Sequence, residues 1–461
     1  MVFSSLTFLY AYLPIVLIVY FIVPPRQRNI TLFIVSLLFY GWGEPLYVLI
    51  MLFSILLNWW AGRLICQDPR HAKRLLILSI AINLLLLGFF KYWDFFAENL
   101  RHIGLSFLPL LHLNLPIGIS FYTFQAMSYP IDIYRGKAKP QTSFVNFGAY
   151  VTMFPQLIAG PIIRYVDVAD QLIKRKINSA SFAVGIRRFT VGLCKKVLLA
   201  NSIGAVYTDI SALPNSQMTT LTAWIGIFSY AMQIYYDFSG YSDMAIGLGK
   251  MLGFTFPENF NYPYIATSVT DFWRRWHISL STWFRDYVYI PLGGNRKGQK
   301  RQLFNIAIVW LLTGFWHGAA WNFILWGSIY GIILMLEKII LLKILNHLPK
   351  WLGRIYTMLI VLIAWVLFAN TNLGAGLRYI QMLFGATGMF ANAMTFYYFR
   401  DHFVLFLICL LACTPIAHTR FNPLRQPYGR FLIPILTPIA LFICTAFIVS
   451  SSYNPFLYFR F

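Results

Sequence analysis

Acidic side chains are scarce in this chain of 461 residues: 15 Asp and Glu stand against 37 Lys and Arg, and the four types together make up only 11%. Roughly 25% is usual for a soluble protein, and so few charges cannot cover the water-facing surface of a chain this long. A soluble globule is therefore excluded, and a hydrophobic content of 59% excludes disorder. Cysteine is sparse as well. Cys66, Cys194, Cys409, Cys413 and Cys444 sit mostly inside apolar runs, and no pair has zinc spacing or implies a disulfide framework. Cys409 and Cys413, one helical turn apart without a nearby His or acid, read as packing residues. Internal repeats and low-complexity linkers are missing, so one membrane-embedded unit over 1–461 is expected. The net charge of +22 would indicate nucleic acid only if the cations shared a soluble face. They are scattered between apolar runs instead, and no nucleic-acid partner is expected.

What the chain does have is length without charge. A transmembrane helix needs about 20 mostly apolar residues. Runs free of Asp, Glu, Lys and Arg cover 29–43, 45–62, 75–90, 102–131, 140–163, 210–236, 302–336, 355–377, 379–398, 402–419 and 431–459. Together with 6–23 and with 184–206, the latter interrupted by basic residues, they predict about 10 to 13 spans. Several contain Pro, Gly and polar residues, as in Leu115-Pro116-Ile117-Gly118 and Phe154-Pro155. Such segments suit broken or re-entrant helices lined by protein or water, because lipid cannot satisfy a freed backbone.

The first apolar segment lacks a small-residue cleavage site and is followed by Pro24-Pro25, which predicts an uncleaved anchor. The loops around Arg26/Arg28 and Arg63/Arg74 are positive, whereas the turn between them carries only Glu44. By the positive-inside rule these loops are cytoplasmic and the N-terminus lies outside. The basic clusters at 174–176, 296–301 and 420–430 follow them to the cytoplasm, which leaves the C-terminus outside.

Ionisable residues in apolar runs are costly and mark candidate sites. Of eight histidines, His317 lies deep within the run 302–336, between Thr313-Gly314-Phe315-Trp316 and Gly318-Ala319-Ala320-Trp321-Asn322. Small residues there let another helix or a substrate approach the backbone, and the indoles of Trp316 and Trp321 can wall a dry cavity. A buried imidazole stays neutral and can take a proton from a hydroxyl, as general-base acyl transfer requires. An interhelical hydrogen bond is the plainer role for the same residue.

A second constellation spans Asp271 to Tyr287. Read as one helix, it brings Trp273, Trp276 and Trp283 near one face and sets Arg274 beside His277 at i, i+3. It reads either as an interfacial amphipathic helix or as a horizontal helix presenting His277 and arginines to a cavity mouth. Next, Gly293-Gly294-Asn295 permits a tight turn. The cations after it, Arg296 and Lys297 among them, would either attract a phosphorylated donor or form an ordinary cytoplasmic loop. Asp237 and Asp243 lie in apolar surroundings, where they would pair with Arg274 and Arg275 or form a proton or ion relay.

Together, Asp271 to Asn295, Trp316-His317-Gly318 and Tyr235-Tyr236-Asp237-Phe238-Ser239-Gly240-Tyr241-Ser242-Asp243 resemble the membrane-bound O-acyltransferase family. Met1-Val2-Phe3-Ser4-Ser5 and Tyr453-Asn454-Pro455-Phe456 resemble its bacterial alginate O-acetyltransferase branch, and the likeness covers essentially the whole chain. The resemblance implies an all-α polytopic fold, a ring of helices with re-entrant and horizontal pieces around a central funnel. It matches His317 to the family's histidine and His277 to its second polar position. It implies acetyl-CoA as a cytoplasmic donor, with no bound cofactor, and a polysaccharide acceptor outside. It also implies a separate extracytoplasmic acetyltransferase partner and a place in the bacterial inner membrane. In this reading His317 deprotonates the acceptor hydroxyl, while His277 orients the thioester or stabilises developing charge. Trp316, Trp321, Asn322, Arg274, Trp276, Arg285, Arg296 and Lys297 serve donor and substrate binding. Ser451, Ser452 and Tyr453 carry hydroxyls that would relay the acyl group.

Other readings remain open at this stage. Related enzymes transfer D-alanine to teichoic acids or acylate proteins. A transporter or channel fits the broken helices and buried acids, although two similar halves, frequent in transporters, are not evident. A scaffold for polysaccharide export leaves His317 unexplained.

Overall fold

The computed structural model describes residues 2–420 and 429–450. The hydroxyls of Ser451, Ser452 and Tyr453, and most of the 420–430 basic cluster, lie outside the described residues. Every regular element among the described residues is helical, and the chain is a polytopic, all-α membrane protein. It divides into two compact units, Met1–Phe189 with Tyr241–Pro257 and Thr190–Gly240 with Glu258–Phe461.

The first unit contains α1 (Arg28–Gly41), α2 (Val48–Gln67), α3 (Ala72–His102), α4 (Ile119–Tyr134) and α5 (Phe144–Thr152). In lipid, apolar side chains gain little by meeting one another, so helices associate through close packing and polar contacts. Between α2 and α3 the amides of Asn58 and Asn83 exchange hydrogen bonds of 3.0 Å in both directions. Outward-facing residues such as Leu49 and Leu85 remain exposed, as a lipid-facing surface requires. The α4 helix differs: every residue from Ile119 to Ile133 is buried, including Thr123, Gln125, Ser128 and Asp132. A polar helix of this kind survives in a membrane protein because protein surrounds it. Asp243 belongs to this unit and pairs with Arg188 at 2.5 Å, not with Arg274 or Arg275.

The second unit holds the chain's remaining motifs. Its α6 (Ser179–Cys194) contributes from Thr190 and continues through a π-helical turn, Lys195–Ala200; α7 (Thr220–Met251) contributes as far as Gly240. Then come α8 (Val269–Arg275), α9 (Ile278–Phe284), α10 (Gln299–His317), α11 (Trp321–Leu336), α12 (Lys350–Ala369) and α13 (Gly429–Ser450). Asp237 pairs with Lys196 at 2.7 Å, both buried, while Arg275 turns back to Asp271 at 2.9 Å. The expected pairing of Asp237 with Arg274 or Arg275 is thus replaced by a cation from the π-helical turn.

Among the described residues, five helices are long and apolar enough to cross a membrane; a pair bent by 57°, Ala393–Asp401 and Phe403–Ala412, makes six. Two other apolar runs are interrupted. The run 302–336 breaks between α10 and α11, and 102–131 is a loop until α4 begins at Ile119. Gly118 makes that start possible, with φ of 74° and Leu157 O only 2.7 Å from where a Cβ would stand. The broken helices expected from Pro and Gly are present.

Candidate active site

Both motif histidines are placed by chain breaks in the second unit. His317 is the last residue of α10, and the chain turns through Gly318, Ala319 and Ala320 into α11. The hairpin closes tightly because Gly314 and Gly327 face each other's helix: a Cβ on Gly314 would stand 2.4 Å from Phe323 O, and one on Gly327 2.5 Å from Trp310 O. The approach of α11 brings Trp326 against the imidazole of His317. Ring centroids lie 5.0 Å away for Trp316, 5.1 Å for Trp326 and 5.2 Å for Phe368, all edge-on. The buried Asn322 donates from Nδ2 to Leu367 O at 3.1 Å, tying the start of α11 to the residue before Phe368.

His277 stands between α8 and α9 rather than inside one continuous helix. Its φ of 44° and ψ of 54° are left-handed, a conformation that costs a non-glycine residue about 1–3 kcal/mol unless the surroundings impose it. Here they do. Asn261 N donates to Arg275 O at 2.9 Å and Ile278 N to Asn259 O at 3.0 Å, so the segment around Asn259 staples both sides of the turn. The helical i, i+3 relation expected between Arg274 and His277 is therefore absent, and Arg274 is exposed. At the start of α8 the fully buried carboxylate of Glu337 accepts from Val269 N at 2.7 Å, Thr270 N at 2.8 Å and Thr270 Oγ1 at 2.6 Å. Tyr356 OH completes the set at 3.2 Å.

The two imidazoles meet around one indole. Trp316 lies 6.2 Å from the ring of His277 and 5.0 Å from that of His317, measured between centroids. Phe238 of α7 closes against His277 at 4.7 Å. Trp276 packs with Phe260 at 5.1 Å and Trp365 at 5.0 Å, and Trp273 with Trp310 at 4.7 Å. His277, His317, Trp276 and Trp316 are all buried, within a nearly continuous aromatic wall. Burial pushes the imidazole of His277 well below the ordinary histidine range, because the cation loses its water. It is neutral at pH 7.

Other expected site residues lie elsewhere. Trp321, the first residue of α11, is 57% exposed, unlike Trp316 and Trp326. Arg285 is exposed and paired with Asp286 at 2.7 Å. Arg296 and Lys297 are exposed in the loop before α10. The 19 residues of α10 separate that loop from His317 by roughly 28 Å. Asn259 and Glu337, by contrast, escape motif reading. Asn259 lies 18 residues before His277, its hydrogen-bond partner, and Glu337 looks in sequence like the charged end of an apolar run.

Comparison with known proteins gives the family. Residues 135–373, which hold α7 to α12 and both histidines, match the membrane-bound O-acyltransferase family. A probable alginate O-acetylase of Pseudomonas aeruginosa is 45% identical over 83% of this chain and 75% of its own. A peptidoglycan O-acetyltransferase of Helicobacter pylori is 36% identical over 84% and 81%, and a teichoic acid D-alanyltransferase of Bacillus subtilis 28% over 56% and 66%. With a motif-bearing core and most of the chain in common, the chain belongs to the membrane-bound O-acyltransferase family and is an O-acyltransferase.

Proposed function

We propose that this enzyme moves acetyl groups from acetyl-CoA on the cytoplasmic side across the bacterial inner membrane for O-acetylation of a polysaccharide outside. The observation that carries this reading is the pair of buried imidazoles on one indole, inside a wall that excludes water. His317 Nε2 or Nδ1, as a neutral base, takes the proton of the acceptor hydroxyl. The oxygen attacks the thioester carbon, the C–S bond breaks, and the coenzyme A thiolate leaves with that proton. His277 orients the thioester. Water must be kept out because hydrolysis consumes the same donor, and Trp316, Trp326 and Phe368 supply that barrier at His317. Exposed Arg296 and Lys297 favour the phosphates of a donor arriving from the cytoplasm.

The relatives' substrates support acetyl over D-alanyl transfer: identity is 45% and 36% to O-acetylating enzymes and 28% to the D-alanyltransferase. An alginate or peptidoglycan acceptor fits those names, and a separate extracytoplasmic acetyltransferase would finish the transfer. The transporter reading loses its motive, since Asp237 and Asp243 each hold a basic partner at 2.7 Å and 2.5 Å. The test uses detergent-solubilised protein, acetyl-CoA and the isolated polymer. Release of free coenzyme A that depends on acceptor is expected from the native enzyme, and none from His317→Ala at equal expression and thermal stability. Native turnover in that variant would sink the role of His317.

A further inference from the structure

We propose that Asn259 fixes the tautomer of His277, with the proton on Nδ1 and the lone pair on Nε2, so that His277 meets its substrate as an acceptor. The amide of Asn259 is fully buried. Its Oδ1 lies 3.1 Å from Ser279 N. A backbone N–H only donates, so the atom facing it is the oxygen and the amide cannot be turned over. That same oxygen lies 3.2 Å from His277 Nδ1. Oxygen has no proton to give, and two lone pairs at that distance repel, so Nδ1 carries the hydrogen. Ser279 Oγ is a competing donor, but it lies 2.9 Å from Oδ1 and 3.5 Å from Nδ1, and its proton goes to the amide.

The arrangement leaves His277 with Nε2 as its unprotonated nitrogen, since one ring nitrogen is set by the bond the other makes. A neutral imidazole in this tautomer accepts a hydrogen bond or a proton through Nε2. It cannot donate from Nε2 to a developing oxyanion. Of the two roles that the motif allows for His277, orienting a substrate and stabilising negative charge, the geometry points to the first, through a substrate N–H or O–H. The backbone bond from Ile278 N to Asn259 O at 3.0 Å holds the turn with any side chain at 259, so the amide oxygen has a task separate from stapling. Asn259 acts through His277 and is a positioning residue. This rests on His277 taking part in transfer.

Solid-state nitrogen NMR of the full-length protein, labelled with 15N-histidine and embedded in bilayers, tests the tautomer directly; the signals lost in His277→Asn identify the ring. A protonated Nδ1 and a bare Nε2 are expected, and the reverse pattern overturns the proposal whatever the variants do. Turnover tests the consequence. Asn259→Asp keeps an acceptor oxygen and should retain activity within about threefold, whereas Asn259→Leu fills similar space without one and should lose roughly 10- to 100-fold in kcat with little change in KM for acetyl-CoA. Equal losses in the two, or native kcat in Asn259→Leu, would overturn the positioning role. His277→Asn is assayed alongside. Its inactivity beside a native Asn259→Leu would refute the role of Asn259 alone, while native turnover in His277→Asn would refute the part assigned to His277.

Discussion

His277 shows how burial holds a common side chain in its neutral form. His277 sits in a strained turn, neutral at pH 7, because the aromatic wall strips water from its cation. This has a measurable sign. The unfolded chain binds a proton at His277 below about pH 6.5, whereas the folded chain does not, so stability falls as pH drops through that value. Between pH 7.5 and 5.5 the thermal midpoint of the native protein should fall more than that of His277→Asn; parallel curves would show that the ring is not held neutral by the fold. His277 and His317 are legible from their motifs, whereas the exposure of Trp321 is not. Trp321 lies four residues from His317 in sequence, but the chain turns at Gly318 to Ala320 and leaves its indole 57% exposed.

The short α8 would not persist alone, since seven residues are far below the length at which a helix is stable in isolation. Glu337 compensates by taking two backbone N–H groups and a hydroxyl at its first turn, where a carboxylate also meets the positive end of the helix dipole. Glu337→Gln places amide hydrogens against those donors. A loss of about 1–3 kcal/mol is expected, read as a lower thermal midpoint, together with reduced turnover because α8 leads into His277. An unchanged midpoint would refute the anchoring role. Sequence periodicity could not find the break at His277, because Trp273, Trp276 and Trp283 suit one continuous helix. What ends α8 is pairing with the segment at Asn259 and Asn261, a contact remote in sequence.

At the scale of the whole chain, charge distribution sets the orientation proposed for the protein, with the 63–74 loop inside and the 103–118 loop outside. The 31-residue α3 joins them and, at about 46 Å, is longer than a hydrocarbon core of about 30 Å. His71 and Ser106, both exposed, make a test: in intact cells a membrane-impermeant maleimide should label Ser106→Cys and spare His71→Cys, and the opposite pattern would invert the topology. The sequence by itself determined that the protein lives in a membrane, that its helices are interrupted and that two histidines are the candidates for chemistry, because apolar length, Pro and Gly placement and local motifs are properties of neighbours along the chain. Only the tertiary structure decided that one indole joins the two imidazoles, that Lys196 and Arg188 neutralise the buried acids, and that Asn259 and Glu337 serve His277. Those are contacts between segments far apart in sequence, and they exist because a low-dielectric interior forces each buried polar group to find a partner wherever packing brings one within reach.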